Sequence, residues 1–196
     1  LRKILLLLLL FPVHTGYSQN FDINLLRDIN HNRNKNLDGF FRGVTNSASP
    51  VAFGTPVVLF GVGLLKKDAA MEKNALYIGA SVVTSSAIAT IMKYSVKRTR
   101  PFVTYPDIEK ITRGGSYSFP SGHTSDAFSL ATSVALAYPK WYVFAPAFVW
   151  AGTVGYSRMD LGVHYPTDVL MGAITGAGSA YLCYKVQHWL IKKQRR

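Results

Sequence analysis

Five apolar runs, at residues 50–65, 75–92, 124–138, 141–156 and 169–191, alternate with short polar connections and account for most of the chain. A segment that leaves water must satisfy its own backbone hydrogen bonds, so runs of this kind are expected to be helices. The expected fold class is therefore all-α: an integral membrane helical bundle of about five transmembrane helices. Several runs fall short of the ~20 residues that usually cross a bilayer, which puts their polar ends near the headgroups. Tyr77, Tyr94, Tyr138, Trp141, Tyr142, Tyr156 and Trp189 stand near run ends, as an interfacial aromatic belt would. Charged residues make up only 16% of the 196, against 48% for the apolar and aromatic set, which favours lipid over water as the surroundings.

The first 19 residues have a basic start, a Leu-rich core and small residues at Gly16 and Ser18. They read as a signal peptide cut near Ser18 or Gln19, with an uncleaved first anchor as the alternative. Residues 20–49 form a polar segment with Leu37, Phe40, Phe41 and Val44 at i, i+3, i+4, i+7. That spacing fits a helix lying in the membrane interface, or an ordinary amphipathic helix packed on its own domain. Residues 50–191 form the helical membrane domain, and 192–196 a basic cytoplasmic tail. Gly172 and Gly176 are spaced for close helix packing.

Lys and Arg number 22 against 10 Asp and Glu, a formal net charge of +12. The excess suits retained cytoplasmic loops and attraction to anionic lipid or phosphate. Long apolar stretches separate the basic residues, so no stripe for nucleic acid forms. With an external mature N-terminus, five spans place Lys66, Lys67, Lys73, Lys140 and the C-terminal basic residues inside. The same count puts residues 93–123 and 157–168 together on the outer face. The one cysteine, Cys183, forms neither an intrachain disulfide nor a zinc site, and reads as a packing residue.

Those two outer segments hold the chemistry: KYSVKRTRP at 93–101, PSGH at 120–123 and SRMDLGVHYPTD at 157–168. A phosphoryl group in transfer spreads charge over three oxygens, and Lys93, Arg100 and Arg158 offer fixed positive donors for them. Pro101 is expected to stop the second long helix and fix the direction of Arg100. Ser121 can donate to a phosphate oxygen, while Gly122 lets backbone N–H groups at a helix start approach an anion. His123, with a reference pKa of about 6.5, can pass a proton to a leaving group. His164 and Asp168, four residues apart, can pair so that Asp168 accepts from Nδ1 and Nε2 is left to attack phosphorus. A His/Asp pair can also bind a metal, but three cations nearby would repel one.

The order Lys-x6-Arg-Pro, Pro-Ser-Gly-His, Ser-Arg-x5-His-x3-Asp resembles the signature of the type-2 phosphatidic-acid phosphatase superfamily, in its membrane lipid phosphatase branch. The match is complete at every fixed position and runs from Lys93 to Asp168. The resemblance implies a phosphatase with a histidine nucleophile, His164, that forms a phosphohistidine. His123 would protonate the leaving group and then activate water, and Lys93, Arg100, Ser121, Gly122 and Arg158 would hold the phosphate. It implies no metal or organic cofactor. The partner is then a lipid phosphate in the membrane: polyprenyl diphosphate, phosphatidic acid, phosphatidylglycerol phosphate or lipid A. Two alternatives stay open, a vanadate-dependent haloperoxidase-like oxidoreductase on the same pocket, and a non-catalytic phospholipid-binding membrane protein. Residues 102–119, with Lys110, Arg113, Gly114 and Gly115, read either as a lid over the headgroup or as a solvated connection.

Overall fold

In the computed structural model, which describes residues 15–194, every regular element is helical. Helix α1 (Thr15–His31) leads through a 3-10 turn (Lys35–Leu37) into α2 (Asp38–Lys66) and α3 (Ala69–Val96). A short α4 (Pro101–Thr104) precedes α5 (Gly122–Ala137), α6 (Trp141–Asp160) and α7 (Pro166–Gln194). The expected signal segment lies outside the described residues up to residue 14, and residues 15–19 open α1.

Local chemistry sets the helix ends. Asp68 accepts from the backbone N–H groups of Ala70 and Met71, both at 3.0 Å, and so caps α3 at its start. Lys67 and Lys97, each at φ 54°, turn the chain out of α2 and α3 in the left-handed conformation. Lys97 rather than Pro101 therefore ends α3. Pro101 instead opens α4, where a missing backbone N–H costs nothing.

The expected break between residues 49 and 50 is also absent, because α2 runs unbroken through Pro50 and Pro56. Its apolar stripe divides. Leu37 and Phe40 are exposed, whereas Val44 packs on the cluster of Ala48, Ala127, Ala131, Ala151 and Val154. Phe41 meets the Tyr156 ring at 5.4 Å. The second half of the stripe thus belongs to the bundle, not to an interface.

Helix α5 is the hub, packed against α2, α3, α6 and α7. Apart from Asp126 and Leu130 its buried residues are small or hydroxylated, among them Ser125, Ala127, Ser129, Ala131 and Ser133, so neighbours can approach closely. Gly172 and Gly176 do the same from α7. A methyl at 172 would come within 2.6 Å of the Ser121 carbonyl, and one at 176 would strike that of Ser125. This contact sets the start of α7 beside the start of α5.

Large apolar side chains cover the outward faces, including Val57, Leu65, Ile91, Val149 and Leu182. An apolar surface of this extent belongs against lipid rather than water. By length and composition, Lys35–Lys66 and Ala69–Thr104 are the two described segments that meet a membrane-span criterion, against five expected. Helix α5, at 16 residues, is too short for that criterion, while α6 and α7, at 20 and 29 residues, are long enough and fail it by composition.

Candidate active site

The three motifs meet at one end of the bundle. Lys93, in the last turn of α3, donates to the carbonyls of Tyr117 (2.8 Å) and Pro120 (2.7 Å), tying the first motif to the second. The Ser121 N–H donates to the Asp168 carbonyl at 2.9 Å, tying the second to the third. Arg100, in the extended lead-in to α4, donates to the Val163 carbonyl at 2.9 Å and lies 3.2 Å from Nε2 of His164.

His164 is fully enclosed. Its Nδ1 faces Oδ2 of Asp168 at 3.4 Å and the Ser118 hydroxyl at 3.5 Å. With Nδ1 protonated toward Asp168, the Nε2 lone pair accepts from Arg100. Burial pushes the His164 pKa down to about 3, against the upward pull of Asp168 and with a further downward push from Arg100 and Arg158. The ring is therefore neutral, the form that a nucleophile requires.

Asp168 is in turn held on every side. Its Oδ2 accepts from the Ser118 hydroxyl (2.5 Å) and the Tyr165 N–H (3.0 Å), and its Oδ1 accepts from Arg98 (2.8 Å). The Arg98 guanidinium stacks 3.8 Å from the Tyr165 ring centre and reaches Asp22 of α1 at 2.6 Å. Asp22 also accepts from the Thr167 N–H and hydroxyl, at 2.9 and 2.6 Å. A carboxylate from α1 thus braces the first turn of α7. Arg98, Ser118 and Asp22 were not among the residues expected from the sequence. Arg98 lies inside the Lys-x6-Arg-Pro spacing, and Ser118 two residues before Pro120, so proximity to the motifs was the one available signal.

Arg158, near the end of α6, is buried. One Nη donates to the Thr45 hydroxyl at 2.5 Å and the other to the Arg113 carbonyl at 3.4 Å. Its Nε has no partner among the described residues. His123 opens α5, and its ring has no hydrogen-bond partner among the described residues. Arg158, Arg100 and Lys93 all lie close enough to act on its charge. The Ser121 hydroxyl bonds to that of Thr124 at 2.8 Å, and Gly122 faces Lys93, where an added methyl would find ordinary contact at 3.8 Å. Steric demand from the protein alone therefore does not explain Gly122.

The 102–119 connection is exposed along much of its length, as a solvated connection would be, yet it is pinned to the bundle at several points. Ile108 is buried with Ile23, Leu26 and Tyr165. The Asn30 side chain of α1 donates to the carbonyls of Glu109 (3.1 Å) and Asp160 (2.9 Å) and accepts from the Glu109 N–H (2.9 Å). Asp107 pairs with Arg27, and Glu109 with Arg33 and Lys35. The bond to Arg27 holds the Asp107 carboxyl below its ordinary range, and the bond to Arg33 does the same for Glu109. Arg100 fixes the return of the loop through the Ser116 carbonyl at 2.7 Å.

Together these features define a helical bundle with a cation-ringed His–Asp site at one end. Residues 74–192 match the PAP2 superfamily, and the chain belongs to it. It is 29% identical over 194 residues to an undecaprenyl-diphosphatase of Sulfolobus acidocaldarius, covering 94% of this chain and 89% of that one. It is 30% identical over 183 residues to a lipid A 4'-phosphatase of Porphyromonas gingivalis, covering 87% and 74%. The fold is similar to that of a transmembrane PAP2-type phosphatidylglycerolphosphate phosphatase from Bacillus subtilis. The TM-score is 0.73 at 26% identity, over 90% of this chain and 89% of that one.

Proposed function

We propose that the chain is a membrane lipid phosphatase that removes phosphate from a phosphomonoester or diphosphate through a phosphohistidine at His164. The observation that carries this reading is the setting of that ring, with Nδ1 turned to Asp168 and Nε2 turned to the Arg100 donor. A group that only bound phosphate would need no neutral, oriented imidazole.

Lys93, Arg100, Ser121, Gly122 and Arg158 hold the phosphate oxygens. Arg100 shifts from Nε2 to an oxygen as Nε2 attacks phosphorus. Burial and the cations Arg158, Arg100 and Lys93 push the His123 pKa down to about 4, so His123 takes up its proton with the incoming phosphate anion. The P–O bond to the lipid then breaks, and His123 gives that proton to the departing oxygen. Neutral His123 then takes a proton from water, whose oxygen attacks phosphorus. The P–N bond breaks, phosphate leaves and His164 is restored. Charge built up on the equatorial oxygens is met by three fixed cations, so the mechanism takes its electrostatic assistance from side chains.

We place five spans in the cytoplasmic membrane with the site on the outer face. Alternating helices put the 67–68 and 138–140 turns and the C-terminal end of α7 opposite the site, and Lys66, Lys67, Lys73, Lys140, Lys192 and Lys193 gather there. A lipid tail can then stay in the bilayer while its phosphate enters the pocket.

The test is phosphate release by detergent-purified protein with excess chelator, over a panel of lipid phosphates and diphosphates. Release that survives chelation and falls by about 10³-fold or more in His164→Ala is the expected result. Activity that disappears with chelator, or survives in His164→Ala, would overturn the mechanism.

A further inference from the structure

A cavity of about 650 Å3 lies between α2 and the 110–113 stretch, lined by Arg42, Asn46, Lys110, Ile111, Thr112 and Arg113. Two of its walls are bonded to the same buried guanidinium. The Thr45 hydroxyl, next to Asn46 on α2, and the Arg113 carbonyl both accept from Arg158. The cavity is therefore one hydrogen bond, through Arg113, from a proposed phosphate-holding residue, and it lies outside all three motifs.

Its charge is one-sided. The two carboxylates of the preceding loop turn away, Asp107 to Arg27 and Glu109 to Arg33 and Lys35. Arg42, Lys110 and Arg113 make no ion pair among the described residues, and Lys110 rests 4.4 Å from the centre of the Phe102 ring. Three cations, an amide and a hydroxyl around a polar cavity supply the donors for a second phosphate. Its one apolar lining residue, Ile111, is pinned by its N–H to the Leu161 carbonyl at 3.1 Å, which steadies this wall against the end of α6.

We propose that this cavity binds a second phosphate of the substrate, so that the enzyme selects lipids carrying two phosphate groups over those carrying one. The inference rests on the phosphatase reading above and narrows its substrate class. The second phosphate can be the neighbouring group of a diphosphate or a distant one on a bisphosphorylated sugar headgroup.

The experiment compares kcat/KM of the full chain in mixed micelles for matched pairs. One pair is a prenyl diphosphate and the prenyl monophosphate of equal tail. The other is a bisphosphorylated disaccharide lipid and its monophosphorylated counterpart. The wild type is expected to favour the two-phosphate member of at least one pair. Arg113→Gln, Lys110→Gln and Arg42→Gln should each cut that ratio by about tenfold, mainly through KM, as loss of one charge-assisted bond predicts. Arg113→Lys should restore part of it, which a mere folding defect would not do. The pair that responds names the source of the second phosphate. A wild-type ratio near one in both pairs, or ratios untouched by all three variants, would overturn the proposal and leave the phosphatase standing. Release from none of the four lipids would overturn this proposal, and release from none of the wider panel above would overturn the phosphatase reading with it.

Discussion

His164 combines full burial with a charge partner, and the two pull its titration in opposite directions. Burial wins, so between pH 6.5 and about 3 the unfolded chain binds a proton that the folded chain does not. Stability should therefore be complete above pH 6.5 and fall as the pH drops through that window. The thermal midpoint in detergent, followed from pH 7 to 4, should show that decline, and His164→Asn should flatten it. An equal slope in the variant would assign acid sensitivity to other groups, such as the Asp107 and Glu109 pairs, whose lowered pKa values also make stability fall with pH. The motif residues could be read in the sequence because their chemistry is carried by residue type and spacing within one short segment. Asp22 and Asn30 could not. Each is an ordinary polar residue whose role depends on a partner up to 145 positions away, as in Asp22 with Thr167. Nothing local distinguishes such a residue from a solvated one.

Among the elements, α1 and α7 shape the site most. Asn30 satisfies three backbone groups of the 109 and 160 positions from a fully buried place. Asn30→Ala should cost about 1–3 kcal/mol, the usual penalty for leaving buried polar groups unpaired. Limited proteolysis should then cut first within the 105–111 stretch. If α1 were a detachable surface helix, cutting there would be unchanged. On the opposite side, Gly172→Leu should push α7 from α5 and break the bond from Ser121 to the Asp168 carbonyl. We expect kcat to fall at least tenfold while the protein still purifies as a folded species. The helices themselves were legible as apolar runs, and each of the five runs lies within or within one residue of one of the helices α2, α3, α5, α6 and α7. Their ends were not, since a left-handed lysine leaves no mark in composition and Pro101 can open a helix as readily as close one.

For the whole molecule, the lysine-rich turns and the end that carries the three motifs lie at opposite poles, which makes the proposed orientation testable. In a Cys183→Ser background, Gly115→Cys should react with an impermeant maleimide from outside intact spheroplasts. Lys66→Cys should react after permeabilisation, and the reverse pattern would invert the topology. Both positions are exposed, so accessibility reports sidedness rather than burial.

The polar interior of α5 bears on how such a molecule is made. Asp126, buried in the second turn of α5, bonds to Ser86 of α3 at 2.5 Å, and Ser125 bonds to Ser85 at 2.7 Å. A 16-residue helix carrying that carboxylate and several hydroxyls is a poor candidate for entering lipid by itself. In the five-span topology proposed above, its passage into the bilayer would wait for α3 to be there and receive it. Biogenesis would then proceed by joint insertion of the two helices, with the pairing that later supports the site serving first as the condition for crossing the membrane.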